Sequence, residues 1–203
     1  MITRILSNIL LLAFYVTGHA QDSTFTVMIN KNDYVQLDFR IVKDGDIFKE
    51  INYSVHADDN VVLTEKTIDL SNDNYVHYVV FDDYNFDGYL DMYLHDPCMV
   101  LGNCIGMVYL FKDGGFVHAT QFDDMTTVSA DPEKKLIYSS NRSAAGSLFT
   151  YETFRWDAGI LKLIKRISQN YDGDFYLYTI EELDSKGNLK IVKQERLSEP
   201  RLE

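Results

Sequence analysis

The sequence predicts an all-β protein built as an antiparallel meander, sandwich or partial propeller. Three observations carry that expectation. Short β-branched and aromatic runs recur at about ten-residue intervals. Clusters of Asp, Asn and Gly separate them. No convincing helical period extends beyond about twelve residues. The runs are, in order, Phe25–Ile29, Val35–Val42, Phe48–His56, Val61–Leu70 and Tyr75–Phe81, followed by Met107–Lys112 and Phe116–Phe122. Lys135–Ser140, Phe149–Trp156, Ile160–Ile167, Phe175–Glu181 and Leu189–Gln194 complete the series.

The breaks between runs have hairpin chemistry: Asp44-Gly45, Asp113-Gly114-Gly115, Asp157-Ala158-Gly159, Asp172-Gly173 and Lys186-Gly187-Asn188. In Phe149–Trp156 the alternation is explicit. Phe149, Tyr151, Thr153 and Arg155 share one face, and Thr150, Glu152, Phe154 and Trp156 the other. Ile160–Ile167 could instead be a short helix, since Leu161, Ile164 and Arg166 do not settle the period. With three prolines and no low-complexity linker, residues 21–203 read as one domain. A seam at Leu70–Asn74 would set off 21–70 as an N-terminal subdomain.

Composition narrows the partners. Among 203 residues, 31 are acidic and 19 basic, a net charge of -12. Nucleic acid and anionic membrane surfaces both require a positive face, so neither is expected as a partner. Metal ions or a basic protein suit this charge better. A hydrophobic fraction of 46% is too high for a disordered chain.

The first twenty residues read as a secretory signal. Arg4 supplies the basic start, Ile5–Val16 the apolar stretch, and Gly18-His19-Ala20 a small-residue cleavage site. No cysteine follows to accept a lipid. Export, with a periplasmic location, is the expectation, and no later run is long enough to span a membrane. In an oxidising compartment, Cys98 and Cys104 are expected to pair as a disulfide. Such a short closed loop would contribute about 2–3 kcal/mol.

One motif carries strong chemistry. Val79–Leu94 reads VVFDDYNFDGYLDMYL, placing Asp83, Asn85, Asp87 and Asp91 at positions 1, 3, 5 and 9 of a D-x-N-x-D-G-x-x-D loop. A calcium ion takes six to eight oxygens, and alternate residues of a coiled loop can aim theirs at one centre. Gly88 at position 6 permits the sharp turn, and Tyr89 at position 7 would offer its backbone carbonyl. Asp82 adds a neighbouring carboxylate. Leu94 stands where an EF-hand has its closing Glu, and the flanks look like strands. A strand–loop–strand Ca2+ site closed by Asp91 is the better model, with a structural role.

The run FDDYNFDGYLDMYL resembles the calcium loop of FG-GAP-type repeats. It is more similar to a family of exported bacterial proteins related to periplasmic lysozyme inhibitors. The hairpin MVYLFKDGGFVH and the segments EKKLIYSSNRSAAGS and YETFRW extend the resemblance over about residues 75–166. That resemblance implies an immunity protein that blocks a peptidoglycan-degrading effector of a contact-dependent secretion system. The partner would be a cognate cell-wall hydrolase. The later loop of that family is often glycine- and cysteine-rich; here it reads Arg142-Ser143-Ala144-Ala145-Gly146-Ser147.

A muramidase cleft carries catalytic carboxylates. A polar loop at Asn141–Ser147 would meet them with the Arg142 guanidinium and the Ser143 and Ser147 hydroxyls. Tyr151 is a candidate aromatic anchor beside it, and the Pro97–Gly106 loop a second candidate surface. No H-E-x-x-H, G-x-S-x-G or phosphate-cradling loop occurs, so catalysis is not expected. The competing expectation is a non-enzymatic FG-GAP-like adhesion or scaffold module, for which one calcium loop and no repeat is a thin basis.

Overall fold

The computed structural model describes residues 22–30, 35–57, 61–73 and 75–201; the expected signal segment lies outside them. The fold is all-β and antiparallel, built from three meanders in chain order. The first sheet holds β1 (Ser23–Asn30), β2 (Val35–Asp44), β3 (Ile47–Ala57) and β4 (Val61–Asp69). The second holds β5 (Tyr78–Asp82), β6 (Asp91–His95), β7 (Gly106–Lys112) and β8 (Gly115–His118). The third runs β9 (Ser129–Asp131), β10 (Leu136–Ser143), β11 (Leu148–Asp157), β12 (Ile160–Tyr171), β13 (Tyr176–Leu183) and β14 (Leu189–Leu197).

The middle sheet is packed on both faces. From β5 and β7, Val79, Phe81, Met107, Tyr109 and Phe111 join Leu37, Phe39, Ile51 and Tyr53 of the first sheet. The intervening residues Val80, Val108 and Leu110 join Phe122, Ile137, Phe154 and Trp156 on the side of the third sheet. This two-sided burial explains why these strands read as nearly continuous apolar runs rather than alternations. β6 is the extreme case, buried from Asp91 through Leu94.

Ile160–Tyr171 is a strand throughout, as its place in the series suggested, and its ambiguous period arises from a bulge opposite Thr153 and Phe154. One expectation needs correction. Phe116–Phe122 is not one strand: β8 ends at His118, and a 3-10 turn at Thr120–Phe122 drops Phe122 into the core. The short β9 carries no long apolar run and has no counterpart in the sequence expectation. At the β7–β8 hairpin, Asp113 and Gly114 both take positive φ, 51° and 73°, the two-residue turn that Asp-Gly favours.

No described helix is long and apolar enough to cross a membrane. Cys98 and Cys104 form a disulfide, with Cα atoms 4.0 Å apart.

Candidate functional site

The β5–β6 connection is the acidic loop, and its backbone is organised by its own carboxylates. Asp83 Oδ1 accepts from the Asp87 amide at 3.1 Å and Oδ2 from the Gly88 amide at 2.9 Å. Asn85 Oδ1 accepts from the Asp87 amide at 2.9 Å, and Asp87 Oδ1 from Tyr89 N–H at 2.9 Å. Phe86 and Gly88 take positive φ, 63° and 91°, which curls the chain so that the side-chain oxygens of Asp83 and Asn85 both reach the Asp87 amide, while the Asp87 carboxylate is exposed. The donor set is oxygen only, which suits a hard divalent cation such as calcium.

Burial sets the electrostatics of the loop. Burial raises the carboxyls of Asp82 and Asp83, with the charge of Asp87 adding to the effect at Asp83. Burial pushes Asp91 up to about 8, against the lowering effect of amides from Phe111 and Tyr84. A divalent cation at this loop would favour the ionised carboxylates.

Asp91 has a structural role that its place in the motif did not reveal. It is fully buried, and its two oxygens accept three backbone N–H groups. Tyr84 and Asn85 donate to Oδ2 at 2.8 and 3.2 Å, and Phe111 donates to Oδ1 at 2.8 Å. Asp91 therefore ties the loop to β7.

The loop touches the other two sheets as well. Asn30 Nδ2, at the end of β1, donates to Gly88 O at 3.1 Å, and Leu90 N–H donates to Ile29 O at 3.0 Å. Trp156 Nε1, on β11, donates to Tyr84 O at 2.8 Å, while the Tyr84 ring is buried against Phe122. All three sheets meet at the acidic loop. The indole of Trp156 was legible as a strand residue; its partner 72 positions away was not.

The second candidate region lies where β10 turns into β11. Arg142 belongs to β10, paired with Phe149, and only residues 144–146 form the 3-10 turn between the strands. Arg142 Nε donates to the Tyr151 hydroxyl at 2.8 Å, and the guanidinium lies 5.4 Å from the Tyr151 ring centroid. Ser143 is exposed. The Ser147 hydroxyl donates to Ala144 O at 2.7 Å, closing the turn. The buried Gln169 supports the turn from β12, donating to Ser147 O at 2.7 Å.

The Pro97–Gly106 loop is held against this region. Asp96 Oδ1 accepts from the amides of Cys98 and Ile105, both at 3.0 Å. Its carboxylate therefore braces the disulfide loop, and His95 meets the Asp96 backbone carbonyl rather than that carboxylate. The two sulfurs beside His95 are bonded to one another and present no thiolate.

No protein-family model matches this chain, and no curated protein matches it. Among solved structures it is similar to a Xanthomonas protein described as type IV secretion system related. The likeness covers 85% of this chain and 99% of that one, at a TM-score of 0.51 and 17% identity. At that identity the likeness is one of fold.

Proposed function

We propose that this chain is an exported, calcium-holding immunity protein that binds a lysozyme-like, peptidoglycan-degrading effector. It inhibits by presenting the β10–β11 turn and its flanking Arg142 to the enzyme's active-site cleft. The observation that carries this reading is the backbone of that turn. Ala144, Ala145 and Gly146 take positive φ in succession, 46°, 54° and 87°. For the two alanines such conformations cost about 1–3 kcal/mol each, and they persist where surrounding structure enforces them. Here the turn is exposed, so the strain secures no packing of its own. A preformed turn with Ala144 and Ala145 exposed, beside the Arg142 guanidinium, suits insertion into a carboxylate-lined cleft.

The fold likeness to a secretion-system-related protein is compatible with this setting. The acidic loop supplies the calcium part of the reading: Asp83, Asn85, Asp87 and Asp91 would hold the ion, with the Tyr89 carbonyl. The ion's role would be to fix the junction of the three sheets, away from any reaction. The net charge of -12 would speed encounter with a basic hydrolase.

The test is a peptidoglycan-clearing assay with the hydrolase encoded beside this gene, run in calcium and in EDTA. Stoichiometric inhibition is expected in calcium, weakening in EDTA. Undiminished clearing, with no complex on a sizing column, would sink the proposal. It would favour a second reading, an FG-GAP-like scaffold, to which the two consecutive four-stranded meanders lend support.

A further inference from the structure

The disulfide loop ends in an apolar tip that the fold leaves uncovered. Val100 is 103% exposed and Met99 57%, whereas the neighbouring β6 is fully covered over its first four residues. Tight surface loops are normally finished with polar residues, so two adjacent aliphatic side chains at an apex are informative.

This tip is also unusually well fixed. The disulfide closes the loop across six positions. Within it, Met99 N–H donates to Asn103 O at 2.8 Å and Gly102 N–H to Met99 O at 2.7 Å. Thr127 clamps the base: its hydroxyl donates to Gly102 O at 2.9 Å, accepts from Cys104 N–H at 3.0 Å, and its amide donates to Cys104 O. Thr127 and Cys98 both sit at positive φ, 51° and 59°. Such backbone is strained for a β-branched residue and is held only by what surrounds it.

Asn103 then joins this loop to the Arg142 strand. Its side-chain amide donates to Arg142 O at 2.6 Å, and its carbonyl accepts from Arg142 N–H at 2.8 Å. The pair of bonds reproduces a backbone ladder across 39 residues of sequence, fixing the tip in register with Arg142 and Tyr151.

We propose that Met99 and Val100 form an apolar pin that docks into the same partner as Arg142, making the two loops one rigid binding ridge. This rests on the immunity reading above and adds the chemistry of the partner surface: an apolar slot beside a carboxylate-bearing cleft. A saccharide would be met by polar groups and aromatic faces rather than by aliphatic tips. An anionic membrane would require a cationic surround, and this chain is acidic. Because the pin is already ordered, little conformational entropy is lost on docking, which favours a central role in affinity.

The test is isothermal titration of the full, disulfide-bonded chain with the lysozyme-type hydrolase encoded beside this gene. The double variant M99S/V100S should bind about 30-fold or more weakly, with an unchanged melting temperature. I160S, which alters an equally exposed aliphatic residue on another face, should bind as wild type does. Asn103→Ala should weaken binding in the wild-type background and far less in M99S/V100S, since a positioning residue has nothing left to position. Wild-type affinity in M99S/V100S overturns the pin and leaves the immunity reading standing. Failure of the wild-type chain to bind overturns both.

Discussion

At the scale of single residues, the acidic loop separates two kinds of carboxylate. Asp87 is exposed, and its oxygens meet only loop neighbours. Asp91 is buried and holds three amides. Asp87→Ala should therefore cost little in EDTA yet, on the proposed calcium role, abolish the rise in melting temperature expected on adding calcium. Asp91→Ala should destabilise by about 3 kcal/mol with or without calcium, because two buried amides and one part-buried amide lose their acceptor. Parallel melts of the two variants check this; equal behaviour would refute the division of roles. A pH dependence follows from Asp91. Burial raises its folded carboxyl to about 8 from the ordinary 3.8, so the folded state binds that proton more tightly than the unfolded chain. The calcium-free protein should thus lose stability through this group as pH rises across that window. Calcium, which favours the carboxylate, should stabilise more at pH 8 than at pH 5.5. Melts at both values, with calcium and with EDTA, read the difference directly.

At the scale of elements, the start of β7 is the least forgiving point. A Cβ placed on Gly106 would lie 2.1 Å from Leu94 O, 2.7 Å from the Tyr93 ring and 2.8 Å from His95 Cβ. Glycine is required there because β7 leaves the disulfide loop hard against the backbone of β6. Gly106→Ala should cost about 2–3 kcal/mol, or prevent folding, since the contact that must yield includes backbone. Chemical denaturation measures it, and a loss below about 1 kcal/mol would show that the two strands can separate without penalty. The hairpins were readable in the sequence because tight turns need positive φ, which glycine adopts freely and Asp tolerates. The 3-10 turn after β8 was not, since Phe122 falls on the same alternating face as Phe116 and only the neighbouring core decides that the chain turns inward.

At the scale of the molecule, the acidic loop is a junction. Bonds to Asn30, Phe111 and Trp156 connect it to all three sheets. Calcium should accordingly slow amide exchange in β1, β7 and β11 together, rather than in the loop alone. Hydrogen exchange with and without calcium tests this; protection confined to residues 82–91 would show that the ion acts locally. The acidic motif itself was plain from spacing, whereas its position at the centre of the fold followed from contacts tens of residues apart.

The sequence by itself determined the strand content, most turns and the cysteine pair. Each depends on local backbone preference or on the residues that a short segment contains. It also determined the register of oxygen side chains in the loop, because alternate positions and one glycine suffice to describe it. Only the tertiary structure decided that the middle sheet is buried on both faces and that Asp91 staples two elements. The same is true of the ridge that Asn103 builds from the disulfide loop and Arg142. Those outcomes arise from pairings 20 to 39 residues apart, where buried amides must find acceptors and the chain's folding, rather than local preference, selects which ones.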